Sequence, residues 1–155
     1  MITDDFTAYA GKVHIVFDKK HKAEDLKTLV SQTISGIAVS CVDAGTRLIG
    51  HIKCIAEVES GKYVACSVVK HDGEAMCRGE LSDGSKSLTL VINVLIYGLD
   101  KEKVEEIVMK IAKDQATRHG GHLEVEDLEY HDHSHQCEAV HEHEHDHEGH
   151  EHQDH

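Results

Sequence analysis

The sequence predicts an α+β domain in which an antiparallel β-meander of four to five strands carries two helices, followed by a disordered C-terminal tail. Three observations predict it. Two segments repeat apolar residues at helical spacing, several shorter ones run apolar between turn residues, and the chain beyond residue 130 is low in complexity. The elements follow the order β-α-β-β-β-β-α, and short turns between consecutive strands force antiparallel pairing.

Residues 12–18 (KVHIVFD) read as a short strand. Residues 21–38 read as a helix, because Leu26, Leu29, Val30, Thr33, Ile34 and Ile37 share one face. Asp43-Ala44-Gly45 breaks it. Four strand-like runs follow: 48–59, then 62–70 after Ser60-Gly61, 74–82 after His71-Asp72-Gly73, and 87–97 after Asp83-Gly84. The last, SLTLVINVLIY, is the most apolar run in the chain and is expected as a central strand buried on both faces. Asp100 can cap a helix over 101–115, with Val104, Ile107, Val108 and Ile111 as its stripe. Arg118-His119-Gly120-Gly121-His122 reads as a linker, and 123–130 as at most a short extra element. The expected organisation is a compact domain over 1–118, a linker over 119–130 and a tail over 131–155.

The chain has 155 residues, of which 39% are hydrophobic, enough for one core. Aromatic residues make up 4% and Trp is absent, so that core must be aliphatic. No apolar run approaches the ~18 residues of a membrane-spanning helix. The first ten residues contain Asp4 and Asp5 and lack a basic stretch leading into an apolar one, so a cytoplasmic location is expected.

The five cysteines are Cys41, Cys54, Cys66, Cys77 and Cys137. An odd count without a C-x-x-C pair, in a reducing compartment, predicts free thiols rather than a disulfide framework. Cys54, Cys66 and Cys77 fall on three consecutive expected strands. They read as small buried hydrophobes, or as a three-thiolate metal site if they converge. His51 and Cys54 point to opposite faces of their strand and make no Cys-His dyad within it. There is no phosphate-binding loop, nucleophile elbow, H-E-x-x-H or dinucleotide fingerprint. No feature therefore nominates catalytic residues or an organic cofactor. A small enzyme in the 1–118 body, with the tail incidental or feeding it metal, is the alternative reading.

Charge is divided unevenly. All 16 Lys and Arg lie at or before Arg118, where they face 17 Asp and Glu, a net of −1. The 37 residues from His119 onward carry 12 acids and no base. Such a chain disfavours nucleic acid and anionic membranes and favours cations.

Residues 131–155 read HDHSHQCEAVHEHEHDHEGHEHQDH, with ten His, eight Asp or Glu and one Cys. Too little of this is apolar to build a core, so disorder without a ligand is expected. The candidate metal ligands are His131, His133, His135, Cys137, His141, His143, His145, His147, His150, His152 and His155. Neutral imidazole binds nickel, zinc, copper and cobalt, and its reference pKa of about 6.5 leaves it free to do so at neutral pH. The spacings i, i+2 and i, i+4 let either an extended or a helical backbone bring two imidazoles to one ion. The carboxylates add charge that two to four bound dications would neutralise, at about three or four ligands each. His119 and His122 stand just upstream and would extend that capacity. A solubility appendage would need acid alone and an affinity tag is usually an uninterrupted His run, while a proton buffer or pH sensor is a further, blander reading.

This tail resembles the histidine-rich extensions of nickel metallochaperones: hydrogenase accessory GTPases, urease accessory chaperones and His-tailed prolyl isomerases. The resemblance covers residues 131–155 and rests on the ten His named above. It implies a protein that stores Ni2+ or Zn2+ (Co2+ and Cu2+ are accepted by the same ligands) or passes it to a client metalloenzyme or its assembly factors. A homodimer through a sheet edge or face is a further expectation. Residues 1–118 lack the GTPase phosphate loop and resemble neither of the other two bodies.

Overall fold

The computed structural model describes residues 5–124. The expected disorder of 131–155 lies outside these residues. Two helices pack on one face of a six-stranded sheet, an α+β fold. The elements are β1 (Phe6–His21), α1 (Ala23–Asp43), β2 (Leu48–Val58), β3 (Tyr63–Val68), β4 (Met76–Gly79), β5 (Ser85–Tyr97), α2 (Lys101–Arg118) and β6 (Gly121–Glu124). The sheet order is β4-β3-β2-β5-β1-β6, and every neighbouring pair is antiparallel.

Among the described residues the strands number six rather than four or five. The added one is β6, which pairs Gly121–Glu124 with Phe17–His14. It begins where a linker was expected, because Gly120 takes a left-handed φ of 70° that turns the chain back from α2. Leu123 then docks beside Ile15. The meander is also incomplete: β2, β3 and β4 follow one another, but β5 inserts between β2 and β1.

Helix α1 buries Leu26, Leu29, Val30, Thr33, Ile34 and Ile37, the expected stripe, and continues to bury Ala38 and Cys41. Its first N–H, on Ala23, donates to Asp83 at 2.7 Å, so a distant loop replaces the missing local cap. Helix α2 is capped as expected, with the Asp100 carboxylate accepting from the Lys103 N–H at 2.8 Å. It runs three residues past the expected end. Helix α1 lies against β2, β3 and β5, and α2 lies against β1 and α1.

Under the helices, Leu88, Leu90, Ile92, Val94 and Ile96 of β5 interdigitate with Ile52, Cys54 and Ala56 of β2 and Val13 and Ile15 of β1. The core is aliphatic, as the composition requires. The expectation that β5 is buried on both faces is corrected. It is central, but its other face is open, and Val91 stays 38% exposed. Both helices lie on one side of the sheet, so the opposite side of β5 keeps access to solvent. Leu48 and Ile55 of β2 and Phe6 of β1 are exposed as well. No described helix is long and apolar enough to cross a membrane.

Candidate functional site

The metal ligands expected at His131, His133, His135, Cys137, His141, His143, His145, His147, His150, His152 and His155 all lie outside the described residues. Among the described residues, no group of three His, Cys, Asp or Glu is arranged to hold a metal ion. The chain enters that segment from β6, an edge strand, so the last described residue sits at the rim of the sheet.

The histidines nearest the tail are spread along this rim. His119 caps α2, and its Nδ1–H donates to the Gln115 carbonyl at 3.0 Å, which leaves Nε2 as the free ring nitrogen of the neutral form. Its ring stands 6.3 Å from that of His21. His122 Nε2 is 3.6 Å from the Glu124 carboxylate. His14 is opposite Glu124 in register, but its Nδ1 is held by the Thr89 hydroxyl on β5 at 2.9 Å, on the side away from β6. These residues mark where the chain leaves the domain and do not themselves converge on one point.

The three cysteines of β2, β3 and β4 do align. Cys54 faces Cys66, and Cys66 faces Cys77, in one cross-strand row. Cys66 and Cys77 are joined as a disulfide with Cα atoms 4.0 Å apart. The expectation of free thiols is therefore corrected at these two positions: directly opposed residues on neighbouring antiparallel strands bring two sulfurs within bonding reach. The three-thiolate reading fails for the same reason, because two of the three sulfurs are bonded to each other. Cys41 and Cys54 are free and buried. Burial pushes their thiols up to about 11 and about 12 respectively, so both are protonated at neutral pH and behave as small apolar groups.

The described residues also form a groove that the sequence did not reveal. It lies on the open face, where two adjacent rows cross β1, β5 and β2: Ala8–Leu95–His51 and Ala10–Asn93–Lys53. Lys101, the first residue of α2, also lines this open groove, whose volume is about 590 Å³. A β-bulge makes this possible. The β2–β5 register slips between Ile49 and His51, so Gly50 is an extra residue. Without it, His51 would point under the helices, since Ile49 already points there. With it, His51 and Lys53 both face the open side. Glycine suits this position, because a Cβ would crowd the Leu95 carbonyl oxygen at 3.0 Å.

The chain matches no family model, no curated protein and no solved structure.

Proposed function

We propose that this protein binds, stores or delivers a divalent transition metal, nickel or zinc, through its His-rich C-terminal segment, as an accessory protein to a metalloenzyme. One observation carries the reading: ten His interleaved with eight Asp and Glu in the last 25 residues. The chemistry is that of borderline metals. Imidazole supplies the ligand atom, and the acids offset the charge of each incoming ion. Many similar sites on a short segment give capacity and quick exchange rather than one rigid site. Delivery would then proceed by ligand exchange, one imidazole at a time.

The reading is supported by the division of charge. The 1–118 body is nearly neutral, so the attraction for cations is concentrated after His119. Because imidazoles must be deprotonated to bind, loading is expected to fall away below about pH 6. The test is elemental analysis of untagged protein from its native host, with and without residues 131–155. The proposal expects several nickel or zinc ions per full chain and at most one on the shortened chain. Equal metal content in the two would refute it.

A further inference from the structure

We propose that the groove bounded by His51, Lys53, Asn93 and Lys101 binds an oxyanion, a carboxylate or phosphate attached to a small, partly apolar body. The first argument is convergence. Lys53 and Asn93 are direct cross-strand partners, His51 is two residues from Lys53 on the same face, and Lys101 faces them from the start of α2. Cross-strand partners stand about 5 Å apart, within reach of one small anion.

The second argument is that counter-charge is sparse here, with Glu105 on α2, one turn beyond Lys101, acting on the lining Tyr9. No Asp or Glu lines the groove. Among the described residues, the side chains of His51, Lys53, Asn93 and Lys101 form no hydrogen bond or ion pair with one another or with any neighbour. The body holds 17 acids against 16 Lys and Arg, so carboxylates were available to neutralise this spot. An anion seated in the groove would be attracted by both ammonium groups. Two ammonium groups, an amide and an imidazole together offer the several N–H donors that a multi-oxygen anion accepts.

The third argument is the bulge. Register slips of this kind re-aim a side chain, and the one at Gly50 turns His51 into the groove. The size fits a small molecule, since about 590 Å³ lies within the ~300–1,000 Å³ usual for ligand pockets. Ala8, Ala10 and Leu95 give its floor an apolar strip, which accounts for the second half of the ligand description.

The experiment uses full-length, metal-free protein titrated with inorganic phosphate and with succinate, read by backbone amide shifts. The natural chain is compared with K53Q/K101Q. Both lysines are exposed, so their replacement leaves the core alone, and unchanged amide shifts for β5 core residues verify the fold. The natural chain is expected to show saturable shifts centred on His51, Lys53 and Asn93, at least tenfold weaker in K53Q/K101Q. No saturable shift with either anion, or shifts that K53Q/K101Q leaves unchanged, overturns the proposal.

Discussion

Cys54 shows how a single residue converts burial into a pH dependence. In the folded chain its thiol keeps its proton up to about 12, whereas an exposed thiol titrates near 8.5. Above that lower value the unfolded chain sheds a proton that the folded chain retains. The stabilisation is therefore complete below about pH 8.5 and is lost as pH rises toward 12. Cys41, held at about 11, acts in the same direction. The urea midpoint is expected to drop between pH 7.5 and pH 10.5, and Cys54→Ala is expected to flatten that drop. In native protein at pH 8, iodoacetamide should leave Cys41 and Cys54 unmodified, and mass spectrometry after denaturation should find both reactive. At Gly50, Gly50→Ala places a methyl group against the Leu95 carbonyl, and a loss of about 1–3 kcal/mol in chemical denaturation is expected for such overpacking. The same substitution should disturb the His51 amide and ring signals more than those of residues across the sheet.

At the scale of the element, caps and crosslinks make separable contributions. Asp100→Ala removes the side-chain cap at the N-terminus of α2 and is expected to cost about 1 kcal/mol. The Cys66–Cys77 disulfide closes a short loop, with a sequence separation of 11. In the chain-entropy view such a closure contributes about 3 kcal/mol, so reduction should lower the denaturation midpoint by a matching amount without melting α2. The elements that the sequence disclosed are those with strong periodicity. The stripe from Leu26 to Ile37 was readable because each of its members is buried, and β5 was readable as central from its apolar run. Strand β6 was hidden: Gly120-Gly121 suggests a linker, and in a four-residue strand only Leu123 is apolar. The open side of β5 was hidden for the opposite reason. Val91, Leu95 and Tyr97 are apolar, and nothing local to them reveals that both helices lie on the other side. The groove was beyond reading along the chain. Lys101 is far from Lys53 in sequence, and the register slip at Gly50 is a property of the strand pair.

Across the whole molecule, the two kinds of residue are kept apart. An aliphatic core under two helices supplies stability, and removing one of its buried leucines, as in Leu90→Ala, is expected to cost about 2–5 kcal/mol. The acids and imidazoles that favour cations are gathered from His119 onward, and those among the described residues take no part in that core. Metal binding and folding should therefore be nearly independent: nickel or zinc is expected to leave the denaturation midpoint of the body within the error of the measurement. The proposed oxyanion groove lies on the face opposite the helices and depends on different residues again. Its success or failure is read separately from that of the tail.

The central claim is that C-terminal imidazoles capture dications at neutral pH. The most direct measurement is titration calorimetry of the full chain with nickel and with zinc at pH 7.5, repeated on a chain ending at Tyr130. The account predicts uptake of about two to four ions at micromolar or tighter Kd by the full chain, with most of that uptake lost in the shortened one. No heat of binding with either metal, or the same stoichiometry and Kd in both chains, would contradict it.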